Sequence, residues 1–204
     1  MVRCAYEYLQ RILVTERQIR MSQLASSGQL RMSLIRWALF VIPTIMFLGF
    51  ISGTISGSGE ENRWFQELIK PESQPPGWAF GVVWPILYFM IGLAFAIILN
   101  ARGAPQRGLA IGLFLTQLLL NLFWSPLFFG QHQVTNAFFL IILIFLTALG
   151  TTFVFGRIRK AAAWLMVPYL AWLSFAAVLN FQIDQLNPDA ERPYVPAVSE
   201  TIGG

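Results

Sequence analysis

The sequence holds one cysteine, Cys4, one histidine, His132, and little charge: 12% of its 204 residues are Asp, Glu, Lys or Arg, about half the share of a soluble domain. A single cysteine excludes an internal disulfide and any Cys-based metal site. His132 stands between Gln131 and Gln133 in a short polar connection, where a solvated loop histidine is the simplest reading and a haem or metal role has no second ligand to support it. There is no Walker loop, no H-E-x-x-H, no C-x-x-C and no G-x-S-x-G, so the common nucleotide, zinc and acyl-transfer chemistries lack support. The most informative absence concerns acids. None of the ten Asp and Glu residues falls in a long apolar run: Glu7 and Glu16 come first, Glu60, Glu61, Glu67 and Glu72 share one connection, and Asp184, Asp189, Glu191 and Glu200 follow the last run. Proton-coupled carriers place carboxylates at membrane depth, so that mechanism is disfavoured.

What the sequence has is apolar length. Hydrophobic residues make up 56% of it, and five runs of about 20 residues suit bilayer-spanning helices. They are read at 37–55, 78–99, 108–129, 134–155 and 161–183. The fold class is an all-α membrane protein, a five-transmembrane-helix bundle over 34–187, with a basic N-terminal extension at 1–33 and a tail at 188–204. The extension combines Arg3, Arg11, Arg17, Arg20 and Arg31 with Leu9, Ile12, Leu13 and Ile19 at helical spacing, as in an amphipathic helix on an anionic membrane surface or an Arg-rich targeting segment. Pro71, Pro75 and Pro76 shape the first connection, 56–77, into a cover rather than a helix. Of the 14 Lys and Arg residues, eleven lie on the N-terminal side of the spans, and Arg63, Lys70 and Arg192 on the other. This predicts a cytoplasmic N-terminus. The net charge of +4 thus sits at membrane edges and not on a nucleic-acid-binding face.

Tryptophan supplies the chemistry. Trp37, Trp78 and Trp164 fall at span ends, where interfacial aromatics belong. Trp84, Trp124 and Trp172 lie deeper, and each indole N–H there needs a partner or a wet pocket. Helical spacing groups Gly81, Trp84 and Tyr88 on the second span, Gln117, Asn121 and Trp124 on the third, and Trp172, Ala176 and Asn180 on the fifth. Amides are costly in hydrocarbon, so these stripes face one another or a cavity. They bond helix to helix, or they line a pocket for a large, flat, mostly apolar ligand carrying a few polar groups. The first and fourth spans carry no such stripe and read as scaffold. Gly49, Gly53 and Gly57 on the first span permit close helix approach. Gly108 and Gly112 on the third do the same, within the chain or between two copies.

Three motifs carry a resemblance. Residues 64–71 (WFQELIKP) with 75–80 (PPGWAF) and 83–88 (VWPILY), then 121–130 (NLFWSPLFFG), then 168–180 (PYLAWLSFAAVLN), resemble in order and spacing the translocator protein family. It is also called the tryptophan-rich sensory protein or TspO/MBR family, and its animal members are the peripheral-type benzodiazepine receptors. The resemblance covers about 37–187. It implies a five-helix receptor or sensor, usually dimeric, binding porphyrins, haem precursors and other tetrapyrroles, and cholesterol-like lipids, with no cofactor required and no metal. By motif the ligand site would include Trp84, Tyr88, Gln117, Asn121, Trp124, Trp172, Phe175 and Ala176, with Trp64, Pro75, Pro76 and Trp78 in or beside the cover. In some bacterial members porphyrin breakdown is ascribed to the tryptophans matching Trp84 and Trp172, so a porphyrin-degrading enzyme is one alternative and a tetrapyrrole or lipid translocator another. The sequence departs from the family where a loop aromatic is replaced by Ser73 next to Glu72. It also lacks the cholesterol pattern after the fifth span, having Phe181 where that pattern has Tyr.

Overall fold

A computed structural model describes residues 27–191; the basic segment before them and the tail after them, Arg192 included, lie outside the described residues. Lipid offers no partner for backbone polar groups, so long apolar runs satisfy them internally as helices. Among the described residues, five helices are long and apolar enough to cross a membrane. They are α1 (Ser27–Ile55), α3 (Gly77–Asn100), α4 (Arg107–Ser125), α5 (Val134–Ile158) and α6 (Lys160–Leu186), with a short α2 (Arg63–Glu67) in the first connection. The shortest spanning unit has 24 residues, about 36 Å at 1.5 Å per residue.

Two details differ from expectation. Within the described residues α1 is already helical at Ser27, ten residues before Trp37, with Leu30, Met32, Leu34 and Ile35 extending its apolar length. The cover contains a helix after all, since its prolines are confined to positions 71–76. Residues 63–67 are free to coil, with Asn62 Oδ1 accepting from Phe65 N–H at 3.0 Å as the N-cap.

Helix ends are closed by side chains from neighbouring segments. Glu60 Oε1 accepts from Gly77 N–H at 2.7 Å, placing a carboxylate at the positive end of α3. At the other end of α3, Arg107 donates to the carbonyls of Ile98 and Leu99 at 3.2 and 2.8 Å. Thr135, in the first turn of α5, gives its N–H to Glu191 at 2.8 Å and its hydroxyl to Asp184 at 2.7 Å.

Around the bundle the packing order is α1, α3, α6, α5, α4. Its core lies away from the cover. There Phe114, fully buried, stacks between Phe95 at 4.0 Å and Phe155 at 6.0 Å. Buried Ala94, Ala110 and Ala148 let the helices approach. Gly108 and Gly112 meet nothing within 4 Å of a notional Cβ, so they do not serve packing within the chain.

Candidate ligand-binding site

On the cover side the bundle is hollow. A cavity of about 820 Å³ lies among α1, α3, α4 and α6, below the first connection. That is the size of a site for a drug-sized ligand, roughly 300–1,000 Å³.

Local sequence makes the space. After Ser125 the third span changes to a π-helical turn, Pro126–Gly130, in which Gln131 N–H reaches back to Pro126 C=O at 3.0 Å. The wider turn carries Phe128 and Phe129 into the cavity wall. On α3, Pro85 has no N–H for the Gly81 carbonyl, which interrupts the helix ladder along the same wall. On α1, a side chain at Gly49 would collide with the Tyr88 ring, so only glycine lets that ring lie against α1.

The expected stripes converge in part. Trp84, Tyr88, Asn121, Trp124, Trp172 and Ala176 all line the cavity. Trp84 and Trp172 meet edge to face at 6.4 Å, and Trp84 lies 5.3 Å from Tyr88. Tyr88 donates its hydroxyl to Asn121 Oδ1 at 2.9 Å. Gln117 is not in the wall. It is fully buried one turn deeper, where its Oε1 accepts from the Tyr169 hydroxyl at 2.9 Å. Together these two bonds make a polar layer that closes the floor. Phe175 packs on Trp172 at 5.6 Å without lining the space.

Trp64, Pro75, Pro76 and Trp78 lie in or beside the cover and do not line the cavity. Trp78 is 71% exposed on the outside of α3. Pro75 and Pro76 frame the cover without lining the cavity, whereas Gln74 beside them does line it. Trp64 holds the cover shut from behind: its ring stacks on His132 at 4.3 Å, and its indole donates to Ala190 C=O at 3.1 Å. Phe65 and Leu68 are the buried apolar residues of the cover, packed with Phe128, Val134 and Ile183. Asn187, just past α6, makes two bonds to Ile69, accepting from its N–H at 2.8 Å and donating to its C=O at 2.9 Å. Ser73 donates to Gln182 Oε1 at 2.9 Å, a polar tie between the cover and α6.

The first span is more than scaffold. Met46, Phe47, Gly49, Phe50, Ser52 and Gly53 all line the cavity, and Ile141 and Ile144 of α5 reach it too. The glycine spacing was the available signal on α1, but it marks close packing and open space alike.

Polar groups in the wall are partly unpaired. Trp124 Nε1 donates to Ala137 C=O at 3.2 Å and is satisfied. Trp172 Nε1 and Asn180 Oδ1 are buried with no partner, as is Gln117 Nε2 beneath the floor. The Asn180 amide is oriented by its Nδ2, which donates to Val134 C=O at 2.9 Å. Unpaired buried groups of this kind cost about 1–3 kcal/mol each. Lys70 and Glu60 are the charged residues in the lining, both at the cover end.

Residues 40–186 match the TspO/MBR family. The chain belongs to that family. It is 42% identical to the tryptophan-rich protein TspO of Chlorobaculum tepidum over 143 residues, covering 69% of this chain and 89% of the relative. It is 38% identical to the translocator protein of Ovis aries, covering 68% and 83%. With the tryptophan-rich sensory protein of Cereibacter sphaeroides it shares 32% identity, covering 74% and 92%. Family membership and five apolar helices together make this an integral, multi-pass membrane protein.

Proposed function

We propose that this protein is a membrane receptor or sensor that binds a tetrapyrrole of the porphyrin class in the cavity beneath the cover and regulates its handling. The carrying observation is that Trp84, Tyr88, Trp124 and Trp172, from three helices, line one cavity of about 820 Å³. Indole and phenol faces stack on a flat aromatic ring, and an apolar chamber with a few polar groups suits a macrocycle with acidic edges. Lys70 at the cover end supplies a cation for a ligand carboxylate, and Trp172 Nε1 a donor in the wall. The same chamber accepts a fused-ring, sterol-like lipid.

Titration of the detergent-purified protein with protoporphyrin IX tests this. Tryptophan fluorescence is quenched saturably, and Trp84→Phe and Trp172→Phe each weaken the affinity. Unchanged affinity in both variants excludes the cavity as the site. A second reading, breakdown of bound porphyrin by dioxygen in light, is favoured by the Trp84–Trp172 contact at 6.4 Å, since two neighbouring oxidisable indoles would both be within reach of a ligand in the cavity. It requires a new absorbing product on illumination in air that either substitution abolishes. The third reading, translocation, requires porphyrin flux across proteoliposomes. The basic side of the bundle supports a cytoplasmic N-terminus. The open outer face at Gly108 and Gly112 is where a homodimer would pack.

A further inference from the structure

The cavity wall is uneven between α1 and α3. In the half away from the cover the two helices touch: a Cβ on Gly92 would lie 3.3 Å from the Ile42 backbone, and Val41 and Ile45 are buried with Leu87 and Ile91. The contact ends at Gly49, where the Tyr88 ring fills the gap. Nearer the cover the helices separate, and Gly81 meets nothing within 4 Å. Phe50 and Thr54 on α1, with Gly81 and Pro85 on α3, line the cavity and are also exposed, Phe50 by 71%. A residue that lines a cavity and faces outward stands at an opening. The upper edge is drawn by Glu60, which bridges from beyond the end of α1 to the Gly77 N–H. Gly81 and Pro85 lie about 6 and 12 Å along α3 from Gly77 at 1.5 Å per residue, so the opening faces lipid below the headgroups.

By the same criterion the opening continues at the edge of the cover, where Ser58, Gly59, Glu60 and Lys70 line the cavity and are exposed; the rest of the cover is tied down. Asn187 clamps Ile69 by two hydrogen bonds, Ser73 holds Gln182, and Phe65 and Leu68 are packed onto the ends of the spans.

We propose that the cavity loads sideways from the bilayer, through the window between α1 and α3, with a flat amphiphile already dissolved in the lipid, and that the missing side chain of Gly81 keeps the window open. This rests on the reading of the cavity as the site for such a ligand. The polar end of the amphiphile enters at the level of Lys70 and Glu60, while its ring system passes Gly81 without leaving an apolar medium.

Rapid mixing of proteoliposomes with protoporphyrin IX, followed by tryptophan quenching, gives the association rate, and dilution into excess empty vesicles gives the dissociation rate. Gly81→Leu fits sterically and fills the window, so both rates fall together by about tenfold, as for a narrowed passage rather than a weakened site. Thr54→Leu closes the same window from α1 and stands in if the first variant does not fold. Asn187→Ala, which frees the cover, leaves both rates unchanged. The proposal is overturned if the window variants leave both rates as they were, if they alter only one of them, or if Asn187→Ala accelerates loading. Absence of saturable quenching in the unaltered protein has a different signature and removes the binding reading itself.

Discussion

The two halves of the bundle are built from the same apolar residue types and differ in how they fill space. Away from the cover, Phe95, Phe114 and Phe155 stack face to face, alanines sit at the crossings, and Gly92 admits Ile42. Beneath the cover, indoles meet edge to face around a cavity, a π-turn widens α4, and polar atoms are left without partners. Between them lies the polar layer of Tyr88, Asn121, Gln117 and Tyr169. In lipid, helices associate through packing and hydrogen bonds, because the surrounding chains are as apolar as the side chains themselves. The packed half therefore carries the stability, and the hollow half is free to serve a ligand.

Substitutions can break this division, and the largest effect belongs to the packed half. Phe114→Ala removes the middle ring of the stack and costs about 3 kcal/mol, read by unfolding in mixed micelles. Trp84→Ala, which removes a larger side chain from a cavity wall, costs less than half as much. Equal losses would mean that the hollow half is as tightly integrated as the packed one.

Hydrogen bonding sharpens the boundary next. Tyr169→Phe leaves Gln117 with no partner on either amide atom and costs about 1–3 kcal/mol. Adding Gln117→Leu recovers most of that loss in the same unfolding measurement, since both members of the pair are then apolar.

Glycine gives a third contrast. Gly92→Val forces a side chain against the Ile42 backbone, for about 1–3 kcal/mol, whereas Gly81→Ala enters open space and raises the unfolding midpoint slightly, since a helical glycine costs about 0.5–1 kcal/mol relative to alanine. The smallest effect separates two tryptophans. Trp124→Phe loses the bond to Ala137 and about 1 kcal/mol, while Trp172→Phe removes an N–H that has no partner and leaves stability equal or slightly higher.

Much of this was legible in the sequence. Run length and the lack of internal charge give the five spans, and the period of the helix brings Trp84, Tyr88, Asn121, Trp124, Trp172 and Ala176 together. The period also put Gln117 with Asn121 on one face, which is correct, but it carries no depth. One turn separates a residue in the wall from one beneath the floor. The part played by α1 was hidden because a wall made of glycine and phenylalanine has the composition of any lipid-facing helix. The prolines mark the cover in the sequence and the family motif sets Trp64 and Trp78 in or beside it, but neither says which side chains turn inward. In the folded chain Phe65 and Leu68 face inward, Trp64 braces from behind, and the decisive partners, His132, Asn187 and Ala190, lie more than sixty residues away in sequence.

The central claim, that the hollow half exists to hold a flat ligand, is tested most directly by filling it. Ala176→Phe projects a ring into the cavity from α6. The account predicts that this variant unfolds no more easily than the unaltered protein and gives no saturable quenching with protoporphyrin IX. Retention of the original affinity in a folded Ala176→Phe protein would contradict it.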